Sequence, residues 1–542
     1  MLDFNFCIAG AAGDGVKEAG EILAELLSNI GYSVFVYQEY ESLIRGGHNA
    51  SVVRCSDKRI HSHRYYYDAM ICLEDYVIDI HKQRLRGFLI HDSKFECDFQ
   101  PSFSVPMLEI VREAGMPKLF RNAAALGALC YILGIDFEEL ARTFVAKYGD
   151  KAEKDVEIAK KAYEHSMENY KRVLNLPNVS GDGRRRVVSG SEAIAMGMVS
   201  AGLSHYYAYP MTPASPILHF LAKSKLIIAV QPENEIAAIM MAIGSAFAGK
   251  RSAVGTSGGG FALMSESISL AGMAEIPLLI VLAQRSGPST GMATFTAQED
   301  LYFALNPAHG EFPLIVASPL TIGDAFSLSA TLLNLAWCFQ TPAILLTEKH
   351  LTESYESVEF DEDEGMEEIE IFNSETDEIF PRYEITNSGI SRYAIPPAVV
   401  KANSNEHDEF GITIDDADVA RRMYAKRMRK EKAIKKKVER LNPYIFAGKG
   451  KDIVVTWGSN FGAVIEAAEE LGYSVVGIRF LRPLILPKFK GEVMCVECNY
   501  TGLLAEMIEK GTGVRVRRIL RWDGRPFTPE EVKHALTKEV RD

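Results

Sequence analysis

What this chain of 542 residues lacks narrows it first. It has no apolar run near the roughly 20 residues that a membrane span needs; even Ile276 to Ala283 is cut off by Gln284 and Arg285. No membrane span is therefore expected. Its eight cysteines are scattered, as reduced thiols are, and do not form the pattern of a disulfide framework. An excess of positive charge is missing too, since the formal net charge is −13, so nucleic acid is not expected as the main ligand. The start, Met1-Leu2-Asp3-Phe4, has neither a basic n-region nor a small-residue cleavage site, which predicts a cytoplasmic chain.

Metal and cluster signatures are equally scarce. The only Cys-x-x-Cys, Cys495-Val496-Glu497-Cys498, lies in the buried-strand pattern Val493 to Tyr500, with no second pair to complete four ligands. Glu406-His407-Asp408-Glu409 matches no zinc helix spacing, so a structural role is expected for it. No metal ligands are assigned to this chain.

What is present reads as a soluble α/β protein: 47% hydrophobic residues, 24% charged, and a length that suggests three or four domains. Residues 1–175 open with a strand Phe4 to Ala9, a loop Gly10 to Gly15, a helix to about Ser28 and a strand Tyr32 to Tyr37. Glycines between a strand and a helix N-terminus let backbone N–H groups approach a phosphate. The spacing Gly-x-x-Gly-x-Gly is not that of a dinucleotide fingerprint, and the same loop also reads as a plain turn. Residues 176–186 are polar and Gly/Pro-containing, as a linker is. Strand and helix patterns alternate over 187–352, predicting a parallel α/β domain. Residues 353–441 are read as an acidic linker and a basic, exposed helix, with a partner-docking surface as the sharper alternative. Residues 442–542, with strands at Asp452 to Trp457, Ser474 to Phe480 and Val493 to Val496, form a last α/β domain.

Three motifs follow one another in the second domain. Tyr209-Pro210-Met211-Thr212-Pro213 is a proline-stiffened turn presenting a hydroxyl. Glu235 heads the apolar helix Ile236 to Gly244. Arg285-Ser286-Gly287-Pro288-Ser289-Thr290-Gly291 sets a guanidinium on a Gly/Pro loop. Singly, each has a plain explanation: a turn, a carboxylate at a helix dipole, a surface charge. In this order they resemble the α subunit of the 2-oxoacid:ferredoxin oxidoreductases. Gly13-Asp14-Gly15 followed by Ile44-Arg45-Gly46-Gly47-His48 resembles the γ subunit of the same enzymes, so the chain resembles a γ–α fusion over nearly its whole length.

That resemblance implies three α/β domains: a γ-type Rossmann-like domain, a thiamine-enzyme pyrimidine-type domain and a transketolase-C-like domain. It implies CoA-dependent oxidative decarboxylation of 2-oxoacids, pyruvate or 2-oxoglutarate, to acyl-CoA, carbon dioxide and reduced ferredoxin. The chain would act only with a β subunit, which would share thiamine diphosphate with it and carry Mg²⁺ and a [4Fe–4S] cluster. Glu235 would hold the cofactor's N1′ proton from an apolar setting, with Glu233 the adjacent competitor. Tyr209 and Pro210 would line the cofactor. Thr212, Arg285 and Thr294 would bind the 2-oxoacid, a guanidinium offering its carboxylate a bidentate clamp. Gly13, Asp14, Gly15, Arg45, Gly46, Gly47 and His48 would meet coenzyme A.

The chain departs from the family pattern at Ser286, at Met292-Ala293 and in Thr256-Ser257-Gly258-Gly259-Gly260, which puts substrate range in doubt. It also lacks the family's diphosphate site, a Gly-Asp-Gly followed about 25 residues later by Asn, because no Asn lies at Tyr40 to Leu43 or at Ala208 to Met211. Two other readings stand beside this one: a transketolase-like carboligase without electron transfer, and a non-catalytic nucleotide-binding scaffold.

Overall fold

A computed structural model describes residues 2–42, 46–179, 185–225, 227–360 and 365–538. The chain divides into two compact units: Met1–Ser189 with Glu353–Glu359 and the stretch from Thr528 onward, and Gly190–Thr352 with Phe360–Phe527.

The first unit is built on an eight-stranded mixed sheet. Its strands are β1 (Asp3–Ala12), β2 (Ser33–Tyr40), β3 (Gly46–Ser56), β4 (Tyr67–Cys72), β5 (Leu85–Asp92), β6 (Ser102–Val105), β7 (Arg186–Ser189) and the segment Tyr355–Val358. The order is β6-β5-β4-β1-β3-β2, then Tyr355–Val358, then β7. β1 is apolar without alternation because both of its faces are covered. Phe6 and Ile8 enter one core cluster, Cys7 and Ala9 the other. The helix Arg121–Ile132 is buried along its whole length. Gly127 permits this, since a Cβ there would stand 2.1 Å from the carbonyl oxygen of Ala159 on a neighbouring helix. Residues 355–358, read from sequence as linker, form a sheet strand, and the linker expected at 176–186 falls within this unit and ends in the first residue of β7. Residues 180–184 of that linker lie outside the described residues.

The second unit carries a parallel sheet of β8 (His205–Tyr207), β9 (Ile228–Val230), β10 (Ser252–Thr256), β11 (Leu278–Gln284), β12 (Ile315–Ala317) and β13 (Pro342–Glu348). Its order is β12-β13-β11-β10-β8-β9, with Phe480–Arg482 antiparallel on the β12 edge. A second sheet takes Tyr444–Ala447, Ser474–Ile478, Ile453–Trp457, Val493–Glu497 and Val516–Leu520 in that order. The α/β fold class expected from sequence is the one observed.

Among the described residues one helix, Ile322–Phe339, is long and apolar enough to cross a membrane, with mean hydropathy 1.3 over its 18 residues. It is a core helix: 67% of it is buried, and it packs closely at Gly197, where a Cβ would stand 2.0 Å from the carbonyl oxygen of Phe326. The basic helix, Ala417–Val438, is not simply exposed. Its Lys426, Arg427 and Lys430 are 0%, 2% and 1% exposed. Lys426 and Lys430 both meet the buried carboxylate of Glu275, at 2.7 and 2.5 Å, and Arg427 donates to Glu406 at 2.8 Å. Cys495 and Cys498 are buried, as their strand pattern predicts. Within Glu406 to Glu409 the side chains serve the fold, Asp408 accepting from the backbone of Phe410 and Ile412, and Glu409 from that of Ile385.

Candidate active site

Parallel α/β sheets bind ligands at the carboxyl ends of their strands. In the second unit that edge gathers the turn after β8, the head of the helix Glu235–Phe247 after β9, the Thr256–Gly260 run after β10 and the Arg285 loop after β11. The three motifs, dispersed over about 80 residues of sequence, thus come to one edge, as successive βα loops must.

Arg285 is half-buried, and desolvation lowers the pKa of its guanidinium. Its Nη1 donates to the carbonyl oxygen of Thr212 at 3.0 Å, so the first and third motifs touch directly. The Arg285 loop is shaped by its own backbone. Met292 N–H donates to the carbonyl oxygen of Ser286 at 3.0 Å and Ser286 N–H to that of Phe295 at 3.2 Å. Gly291, at φ +50°, is required there because a Cβ would lie 1.9 Å from the carbonyl oxygen of Ser286. Thr294 is buried on this loop, while Tyr209 is 39% exposed and Pro210 partly exposed on the turn after β8.

Glu235 is the first residue of its helix. Asn234 caps the helix, its Oδ1 accepting from Ala237 N–H at 2.9 Å, so the carboxylate of Glu235 is not needed as a cap. Glu235 is 4% exposed, whereas Glu233 is exposed. Among the described residues the Glu235 carboxylate has no hydrogen-bond or ion-pair partner. In front of it stands Gly260: a Cβ there would come within 2.6 Å of Glu235 Cγ and 2.8 Å of its Oε1. A buried carboxyl behind a glycine is a cradle that any side chain at 260 would fill. It fits a flat heteroaromatic ring edge that carries a hydrogen-bonding nitrogen.

Three further residues at this edge escaped the sequence reading. Ser257 is fully buried with no partner for its Oγ; it lies inside the Thr256–Gly260 motif, which was the available signal. Asp300 places Oδ2 2.8 Å from the position a Cβ would take on Gly258, and burial, aided by Glu299, pushes its carboxyl up to about 6. Glu348, at the end of β13, is 1% exposed. Its Oε1 accepts from Ser459 N–H at 2.6 Å, its Oε2 has no partner, and burial pushes it up to about 7 against the lowering effect of Ser459. Beside it Gln298 donates to the carbonyl oxygen of Trp457 at 2.9 Å and accepts from Asn460 at 2.7 Å. Glu348 and Gln298 thereby fasten the turn Trp457 to Asn460 onto the parallel sheet. Nothing local in sequence marks either Asp300 or Glu348.

In the first unit, the two glycine motifs assigned together also meet. β1 and β3 pair with Ala12 opposite Gly46, so Gly13-Asp14-Gly15 and Gly46-Gly47-His48 are adjacent at one sheet edge. Gly13 and Gly15 have φ of +97° and +74°, and nothing lies within 4 Å of a Cβ on Gly13. The helix Tyr76–His81 holds the second motif: the Tyr76 hydroxyl donates to the carbonyl oxygen of Gly47 at 2.5 Å, and His48 Nε2 lies 2.6 Å from His81 Nε2. Burial, then His48 and Arg84, pushes His81 down to about 3. Arg45 lies outside the described residues.

Comparison with known proteins points the same way. Residues 196–426 match the family "Pyruvate flavodoxin/ferredoxin oxidoreductase, thiamine diP-bdg", and residues 5–168 match "Pyruvate ferredoxin/flavodoxin oxidoreductase". The chain is 30% identical to the 2-oxoacid:ferredoxin oxidoreductase subunit alpha of Saccharolobus solfataricus, over 100% of this chain and 98% of that one. It is also 30% identical to the 2-oxoglutarate oxidoreductase subunit KorA of Mycobacterium tuberculosis, over 76% of this chain and 67% of that one. Among solved structures, the 2-oxoglutarate:ferredoxin oxidoreductase from Magnetococcus marinus, with 2-oxoglutarate, coenzyme A and succinyl-CoA bound, superposes with a TM-score of 0.90. It shows 27% identity and covers 99% of each chain.

Proposed function

Because this chain belongs to the 2-oxoacid:ferredoxin oxidoreductase family, matching its alpha subunits from end to end, we propose that it is the substrate- and coenzyme A-binding subunit of a cytoplasmic enzyme of that kind. It works with a β subunit that carries Mg²⁺ and a [4Fe–4S] cluster and passes electrons to ferredoxin. The reaction takes a 2-oxoacid and coenzyme A to acyl-CoA and carbon dioxide. Thiamine diphosphate, when bound, supplies the nucleophilic carbon and the electron sink that decarboxylation requires.

The observation that carries this reading is the partnerless, buried carboxyl of Glu235 behind Gly260. A carboxyl screened from water and without a protein partner is left to hydrogen-bond a ring nitrogen of a bound ligand. Glu235 is the residue to face the aminopyrimidine edge of the cofactor, with Thr256 and Ser257 alongside. Arg285, steadied through Nη1 on Thr212, turns its remaining Nε and Nη2 edge to the 2-oxoacid carboxylate. Thr212 and Thr294 add hydroxyls around it. The paired glycine loops of the first unit receive the phosphates of coenzyme A through backbone N–H groups.

The test is reconstitution. The chain alone is expected to contain no iron and to reduce no viologen dye. With its β subunit it is expected to reduce ferredoxin only when a 2-oxoacid and coenzyme A are both present. Dye reduction by the isolated chain, or by the complex without coenzyme A at the same rate, sinks the reading.

A further inference from the structure

The glycine loop of the first unit contains an aspartate, which is an unfavourable residue to place where a phosphate is to bind. The structure shows what is done with it. Asp14 is turned inward: its Oδ2 accepts from Ala11 N–H at 2.9 Å, and its Oδ1 lies 3.0 Å from Nη2 of Arg121. Arg121, the first residue of the helix Arg121–Ile132, is only 2% exposed. The same Nη2 lies 2.9 Å from Oε1 of Glu74, which follows β4. β1 and β4 are neighbouring parallel strands, so one guanidinium ties together the loops at their carboxyl ends. Two residues beyond Glu74 stands Tyr76, whose hydroxyl holds Gly47. Lys118, with 55% of its side chain exposed, approaches both carboxylates from the rim, 3.6 Å from Asp14 and in contact with Glu74.

Arg121, Lys118, Asp14 and Glu74 sum to zero charge. Burying a guanidinium between two carboxylates gains little stability over an apolar packing of the same volume, so stability does not account for this arrangement. Its effect on the loop does. With Asp14 neutralised and directed inward, the positive-φ backbone at Gly13 and Gly15 is left to meet an anion; with Asp14 released, a carboxylate would stand in the anion's place.

We propose that Arg121 is a positioning residue for coenzyme A: it withdraws and neutralises Asp14 so that the Gly13–Gly15 loop accepts a coenzyme A phosphate. This rests on the reading above that coenzyme A binds at these loops, and the test keeps the two apart. In the reconstituted complex, Arg121→Gln raises the KM for coenzyme A by about 10-fold or more and leaves kcat at saturating coenzyme A and the KM for the 2-oxoacid within about two-fold. Adding Asp14→Asn to Arg121→Gln restores the coenzyme A KM, because the charge that Arg121 held back is gone; a merely structural role for Arg121 predicts no such rescue. Lys118→Glu, a reversal at the exposed rim, reports where coenzyme A binds and also raises its KM. If Lys118→Glu acts but Arg121→Gln does not, or Asp14→Asn fails to rescue it, the role of Arg121 is overturned and the location stands. If neither acts, the location is wrong and the proposal falls with it. Should Arg121→Gln not fold, Glu74→Gln removes one of the two anchors of Arg121 and raises the coenzyme A KM about two- to five-fold; an unchanged KM overturns the proposal.

Discussion

Arg285 spends one of its nitrogens on Thr212, and in the proposed function its remaining planar edge takes the 2-oxoacid carboxylate. A lysine carries the charge but has neither the fork nor the second donor in plane. Arg285→Lys is therefore expected to lose roughly 2–4 kcal/mol of transition-state stabilisation in kcat/KM for the 2-oxoacid, and Arg285→Ala more. Thiamine diphosphate binding is expected to be unaffected by either change. Kinetics on the assembled complex decide it, and near-wild-type kcat/KM in Arg285→Ala excludes the assignment. At this scale the sequence presents residue types but not exposure. The resemblance favours Glu235 with Glu233 as its adjacent competitor, and burial separates them, because only one of two residues so placed turns inward as the helix begins.

The elements are joined by buried charge that periodicity does not reveal. The helix Ala417–Val438 reads as a solvated basic face, yet Lys426 and Lys430, four apart and so on one side, close on Glu275 some 150 residues away. Burial alone would raise the Glu275 carboxyl, but Lys430 and then Lys426 hold it well below the usual range. Glu275→Gln leaves two ammonium groups buried without their counter-charge, at a cost of roughly 3–5 kcal/mol. Thermal or denaturant unfolding checks this, and an unchanged transition contradicts it. Glu348 behaves in the opposite sense. Its folded-state value of about 7 lies above that of an exposed glutamate, so between the two values the folded chain binds the proton more tightly than the unfolded one. Its contribution to stability therefore falls as pH rises from about 4.5 to 7, by roughly 3 kcal/mol in all. Glu348→Gln should remove that slope, matching wild type near pH 4 and melting higher than wild type at pH 8. A parallel pH dependence in both proteins counts against the account.

For the whole molecule, the sheets were legible because strands buried on both faces leave long apolar runs between glycine loops: Phe4 to Ala9 lies within Asp3–Ala12, and Asp452 to Trp457 overlaps Ile453–Trp457. The order of the motifs was legible for the same reason, since successive βα loops fall on one edge. What stayed hidden depends on contacts between residues far apart in the chain. Tyr355–Val358 adds a strand to the sheet of the first unit across more than 300 residues, and its short, charged flanks look like linker. Arg121, Asp300 and Glu348 have no local pattern at all. The proposed role of Glu235 in activating the thiamine cofactor is tested most directly by the rate of C2–H/D exchange of thiamine diphosphate bound to the assembled complex, followed by NMR after acid quench. Glu235→Gln should keep fold, cofactor and cluster but slow that exchange by roughly 10²–10⁴-fold, while Glu233→Gln stays close to wild type. Fast exchange in Glu235→Gln would contradict the account, and slow exchange confined to Glu233→Gln would move the catalytic carboxylate two residues upstream.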